Sequence, residues 1–272
     1  MLNKVKLFLA KDSKVNRAID TKCSLELIEI RKGMQPTVII INGFLSKNTN
    51  EVDDWLEVVD ELYPDNRVVH AKWDAGNLLD VISDKGLLET TSPNLLSQNG
   101  VAALMASAVA IGVNKAAGHW KNAFHETRAV GVELSAAIEN TTQLHGCILM
   151  GHSLGARVIH HTMAELPPPL VSTAYFLAGA VSSELEVWDL IFEKHTRTKF
   201  INCMSQTDST LKYGYSAGCL FDHQPIGLSP LGNSTDLNVI NIDASKHAKG
   251  HQDFKNKRMG QLIKGELTPY SE

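Results

Sequence analysis

Apolar and charged positions alternate over residues 4–10 and 24–30, the pattern of half-exposed antiparallel edge strands, in which successive side chains point to opposite faces. Residues 37–41 break the alternation. Thr37, Val38, Ile39, Ile40 and Ile41 form a continuous, largely β-branched run, as expected of a central strand covered on both faces. From 53 to 62 the period changes again: Val52, Leu56, Val59 and Leu62 recur at helical spacing, and Pro64 ends the segment. Residues 67–73 return to strand character, so 37–73 predicts a right-handed βαβ unit.

The connection over 74–146 is far longer than a crossover requires. Its second half predicts a helix with Trp120, Phe124, Thr127, Gly131, Leu134 and Ile138 on one face. Its first half holds a run, 101–113, with one hydroxyl and no charge, shorter than the ~20 residues of a membrane span. Two readings stand for that run: an Ala-rich helix packed within the protein, or a lid or membrane-touching surface.

After this connection, residues 147–150 are uniformly apolar and predict a buried parallel strand. Helical spacing follows over 154–166, until Pro167, Pro168 and Pro169 stop it. Further strands are predicted at 173–179, 199–204 and 238–242, with a helix over 184–194 between the first two. Residues 209–237 are rich in Gly, Ser, Pro and Asn and predict irregular structure. The alternation is that of an α/β protein with a mostly parallel, doubly wound sheet and helices on both faces. A single domain over 1–272, with an α-helical insertion at 75–119 before the 147–150 strand, accounts for the length.

Composition narrows the partners. The hydrophobic share is 43%, and Lys plus Arg number 26 against 30 Asp plus Glu, a net charge of −4 with no dense basic cluster. Nucleic acid is therefore not expected as a partner. Cys23, Cys147, Cys203 and Cys219 have no metal-type spacing, and two of them fall in predicted buried strands, which fits a reduced, cytoplasmic setting. Lysines interrupt the apolar N-terminal stretch, so it does not read as a signal peptide. No zinc or EF-hand spacing occurs, and no metal or cofactor is expected.

Between the 147–150 strand and the following helix lies Gly151-His152-Ser153-Leu154-Gly155, a G-x-S-x-G at a strand-to-helix turn. There the serine is forced into a strained conformation that lifts its hydroxyl above the sheet edge, and the helix N-terminus favours a developing oxyanion. A serine hydroxyl needs a base, and the base an orienting carboxylate. In the chain order Ser, acid, His, Asp208 follows the 199–204 strand and His251 lies in the loop after the last strand.

Competitors are Glu184 and Asp243 as acids and His247 as base. His160 and His161 are adjacent on the helix and make no metal pair, while His152 is expected to pack beside the nucleophile. The oxyanion donors are expected to be the amides of Leu154 and Phe44, with Gly43 permitting the tight turn before Phe44.

Residues 41–46, Trp73, residues 151–159, residues 205–208 and Gly250-His251-Gln252-Asp253-Phe254 together resemble the α/β-hydrolase family of the transmembrane-and-coiled-coil-domain proteins. The resemblance spans most of 36–254. It implies a serine esterase or lipase, and its G-H-x-[DE]-[YF]-like end favours His251 over His247. The membrane-spanning segments typical of larger members have no counterpart here, so membrane attachment does not carry over.

The expected activity is hydrolysis of a carboxylic ester, lipid esters included, through an acyl-enzyme on Ser153. The expected partners are a small-molecule or lipid ester and, at most, a membrane surface that is touched and not spanned. Thioester hydrolysis or acyl transfer would use the same residues, and a non-catalytic binding module on this fold is the rival from another class.

Overall fold

The computed structural model of the chain describes residues 25–43, 52–75, 114–212, 224–233, 236 and 238–268. The expected strand at 4–10, Phe44, Cys23, Cys219 and the 101–113 run lie outside them. Among the described residues seven strands form one sheet: β1 (Glu26–Arg31), β2 (Met34–Ile41), β3 (Asn66–Lys72), β4 (Cys147–His152), β5 (Val171–Leu177), β6 (Lys199–Met204) and β7 (Val239–Asp243). Their order is β1-β3-β2-β4-β5-β6-β7. Among the described strands only β1 runs antiparallel, against β3. Its Glu26 and Glu29 are exposed while Leu27, Ile28 and Ile30 are half-buried, so the expected strict alternation is broken, with a register shift between Glu29 and Arg31. The parallel strands β2 and β4 pair Val38 with Ile148 through Ile41 with Gly151, so two apolar runs meet at the centre of the sheet. Val38 to Ile41 and Cys147 to Met150 are all buried, as strands covered on both faces must be.

Among the described residues five α-helices accompany the sheet: α1 (Asp53–Leu62), α2 (Asn114–Asn140), α3 (Leu154–Glu165), α4 (Leu185–Lys194) and α5 (Lys257–Leu267). Helix α1 occupies the expected span. Helix α2 begins inside the expected 75–119 insertion and runs straight into the connection to β4. Its face is the expected one, with Phe124, Thr127, Leu134 and Ile138 buried.

Gly131 lets α2 approach α3 closely: a Cβ there would lie 2.5 Å from the His161 Cβ and 3.0 Å from the Thr162 amide nitrogen. Helix α5, not expected from the sequence, is capped by the Asn256 side chain, whose Oδ1 accepts the Met259 amide at 3.0 Å. It packs on α1 through Gly260, where a Cβ would meet the Glu61 Cβ at 2.8 Å. Its buried Met259 and Ile263 explain why an otherwise charged stretch folds as a helix at all.

Candidate active site

The sharp turn from β4 into α3 centres on Ser153, which holds φ 56° and ψ −118°. This is backbone that L-residues rarely adopt, at a cost of ~1–3 kcal/mol, and it persists where the surroundings over-determine it. Here they do. The Ser153 amide donates to the Leu177 carbonyl at 3.0 Å, and its own carbonyl accepts from Ala156 at 3.1 Å and Ala180 at 3.0 Å. Both motif glycines are sterically required. A Cβ on Gly151 would lie 2.5 Å from the Gly155 carbonyl oxygen, and one on Gly155 would lie 2.2 Å from the Ile41 carbonyl oxygen. The elbow therefore exists because two strands and a helix start meet where no side chain fits.

Gly43, just past β2, comes directly alongside. A Cβ there would sit 2.7 Å from the Ser153 Cβ and 3.3 Å from the Leu154 amide nitrogen. Leu154 is the first residue of α3, so its amide has no carbonyl partner within the helix. The end of β2 and the start of α3 thus converge on the serine, the arrangement in which two amides can face one oxygen. Phe44, the second expected donor, lies outside the described residues.

Asp208 follows β6 and is wholly buried. Its Oδ1 accepts the Leu211 amide at 3.0 Å, and its Oδ2 is 2.7 Å from Nδ1 of His251. A carboxylate is an acceptor, so Nδ1 of His251 carries the proton and Nε2 is left as the basic nitrogen. Ser153 and His251 are each 8% exposed, which leaves the pair nearly closed to bulk water but reachable.

The two loops are tied together behind this contact. The Ser205 hydroxyl donates to the Ala248 carbonyl at 2.7 Å, and the Thr207 hydroxyl donates to the same oxygen at 3.2 Å. The His251 loop also docks on the elbow, where Nε2 of His152 lies 2.8 Å from the His251 carbonyl oxygen.

The competing groups sit elsewhere. His247 is exposed on the turn after β7. Asp243 is exposed and accepts both the amide and the hydroxyl of Ser245, which hold its carboxyl below the usual range. Glu184 precedes α4, its amide bonded to the Ser182 hydroxyl. His160 and His161 pack against each other with ring centroids 5.1 Å apart, both buried, and burial lowers both below the usual histidine range, His160 to about 3. Cys147 and Cys203 are buried in β4 and β6, and burial pushes the Cys147 thiol up to about 12, which removes it as a nucleophile.

A second network behind the site has no sequence signal. The Asn42 side chain accepts from Nε1 of Trp55 at 2.7 Å and from Nζ of Lys255 at 3.3 Å, while its carbonyl accepts from Nε1 of Trp73 at 2.9 Å. Lys255 is also paired with Asp54 at 2.5 Å. Three other segments of the chain, around Trp55, Trp73 and Lys255, thus fix the end of β2, and with it Gly43. Trp73 was identifiable from sequence only as a strand-end residue; its partner was not.

Among the described residues, no group of His, Cys, Asp and Glu is arranged to hold a metal ion, and no helix is long and apolar enough to cross a membrane.

A mostly parallel sheet in this order, with a strained serine at the turn from its central strand into the next helix, is the α/β-hydrolase fold. The chain belongs to the family described as "Protein of unknown function (DUF726)", which it matches over residues 7–266. It is 24% identical over 164 residues to the "Uncharacterized membrane protein F35D11.3" of Caenorhabditis elegans, a match covering 56% of this chain and 26% of that protein. The chain thus spans about a quarter of that relative's length.

Among solved structures, it is similar to MGS-MChE2, an α/β-hydrolase enzyme from the metagenome of sediments of the Mar Chica lagoon, with 14% identity and a TM-score of 0.42 over 91% of this chain and 95% of that one. It is also similar to the α/β-hydrolase domain-containing protein 10 from mouse, with 14% identity and a TM-score of 0.41 over 91% and 93% of the two chains.

Proposed function

We propose that the protein is a serine hydrolase of carboxylic esters, lipid esters among them, acting through an acyl-enzyme on Ser153. One observation carries the reading: a buried Asp208–His251 contact of 2.7 Å on the loops following β6 and β7, beside a serine held at φ 56°. In this mechanism Nε2 of His251 takes the Ser153 proton as Oγ attacks the ester carbonyl, and then returns it to the leaving alcohol. Asp208 keeps Nδ1 protonated and stabilises the imidazolium. The Leu154 amide, with that of Phe44, would take the oxyanion, the kind of donor whose loss costs ~10²–10³ in rate. Water then attacks the acyl carbonyl by the same base, releasing the acid and regenerating Ser153.

The test is labelling by a fluorophosphonate probe together with turnover of p-nitrophenyl esters. The wild type should label once, and Ser153→Ala should neither label nor turn over. Asp208→Asn and His251→Ala should each lose several orders of magnitude. Glu184→Gln, Asp243→Asn and His247→Ala should stay within a few-fold of wild type. Full turnover by Ser153→Ala would end the hydrolase reading, and an active Asp208→Asn beside an inactive Glu184→Gln would move the acid to the loop after β5.

A further inference from the structure

We infer that His152, the residue preceding the nucleophile, is a positioning residue that clamps the backbone of the base loop to the elbow. The inference rests on His251 acting as base, and it adds the group that sets where His251 stands.

His152 ends β4 and is 3% exposed. Its Nε2 lies 2.8 Å from the carbonyl oxygen of His251, and a carbonyl can only accept. Nε2 therefore carries a proton, and the neutral form of the ring that makes this bond is the Nε2–H tautomer. The two imidazole rings also touch, with centroids 4.6 Å apart and planes inclined by 45°. His251 is consequently held at two points, its ring by Asp208 and its backbone by His152.

The second point is covalently one residue from Ser153, whose φ and ψ are themselves fixed by three backbone bonds. The spacing of nucleophile and base thus passes through a short path of fixed contacts, and not only along the loop over 244–250. Charge matters as well as reach. His251 becomes an imidazolium during the reaction, and a second cation in ring contact would oppose that. Burial answers this by holding His152 well below the usual histidine range, with the neighbouring His251 and Lys255 acting in the same direction. A neutral donor suits this position, and a lysine or arginine would not.

Two measurements test the clamp. The first needs no activity: long-range 1H–15N spectra of histidine-labelled protein should show His152 as the neutral Nε2–H tautomer throughout pH 6–8. A Nδ1–H tautomer or an imidazolium at His152 overturns the inference.

The second compares His152→Leu, which fills the space without donating, with His152→Gln, whose amide nitrogen reaches to the same distance. His152→Leu should lower kcat on p-nitrophenyl butyrate, and the labelling rate of Ser153, by about 10- to 100-fold with KM within about twofold, the scale of an ångström-sized misplacement. His152→Gln should recover most of the loss. Wild-type kcat in His152→Leu, or a folded His152→Gln as slow as His152→Leu, overturns the inference. A wild-type protein that never labels at Ser153 would instead remove the hydrolase reading, and the spectra would still decide the clamp.

Discussion

Ser153 holds a strained backbone, and the strain can be measured apart from the chemistry proposed for it. At φ 56° and ψ −118° a glycine is at ease, whereas serine or alanine is not. Replacing Ser153 by Gly and by Ala removes the hydroxyl in both cases, but only glycine relieves the backbone. Glycine loses ~0.5–1 kcal/mol through the greater freedom of its unfolded chain, less than the ~1–3 kcal/mol of strain released. Ser153→Gly should therefore be more stable than Ser153→Ala by about 1 kcal/mol in urea denaturation. A Ser153→Gly variant less stable than Ser153→Ala by ~0.5–1 kcal/mol, the glycine loss with nothing released against it, would show that the elbow stores no strain. The other non-glycine residue with positive φ among those described, Ala178 at φ 48°, is held between Gly179 and the backbone of Gly227 and has no reacting group to present.

At the scale of the helix, two glycines give opposite expectations from one substitution. Gly131 in α2 and Gly265 in α5 both lie inside helices, where alanine is preferred by ~1 kcal/mol on propensity alone. At Gly265 nothing lies within 4 Å of the new methyl, so Gly265→Ala should raise stability by about 0.5–1 kcal/mol. At Gly131 the methyl would meet the Cβ of His161 at 2.5 Å and backbone atoms of α3 at 3.0 Å, contacts that no side-chain rotation relieves. Overpacking of this kind costs ~1–3 kcal/mol, so Gly131→Ala should lower stability in spite of propensity. Melting temperatures of the two variants should move in opposite directions. The result matters for the site because α2 lies against the helix that carries the elbow, so a shift of α2 is passed to α3.

Over the whole molecule, the buried histidines set the response to acid. His70, His152, His160 and His161 all have folded pKa values lowered chiefly by burial, His70 to about 4 and His160 to about 3. The unfolded chain binds these protons near pH 6.5 and the folded chain does not. Their stabilisation is therefore complete above pH 6.5, and it is lost as the pH falls from 6.5 towards 4 and below. Each such histidine adds up to ~1.4 kcal/mol per pH unit to the slope.

Urea denaturation at pH 7.5 and 5 should show markedly lower stability at pH 5. His161 makes the sharper test, because neither of its ring nitrogens has a hydrogen-bond partner. His161→Leu replaces an unsatisfied imidazole by an apolar group, so it should be neutral or stabilising and should reduce the slope by about one proton. An unchanged slope would refute the assignment.

The sequence by itself determined the periodic part of this protein. Val38 to Ile41 and Cys147 to Met150 have to be covered on both faces, and Asp53 to Leu62 has to turn one face inward, because burial of apolar surface acts through local spacing. The elbow was legible as a pattern because Gly151, Ser153 and Gly155 are contiguous in the chain, although the steric need at Gly155 comes from β2, where its Cβ would meet the Ile41 carbonyl oxygen at 2.2 Å. Asp208 and His251 could be ordered along the chain and given to strand ends, and the structure brings them to 2.7 Å of each other.

What spacing could not supply is whatever depends on two distant segments meeting. Helix α5 carries too few apolar residues to announce itself and exists because α1 covers it. The bond from His152 to the carbonyl of His251 joins residues 99 apart, and the bond from Lys255 to Asn42 joins residues 213 apart. A hydrogen bond is satisfied or lost according to the position of both partners in space, and only the assembled fold defines those positions.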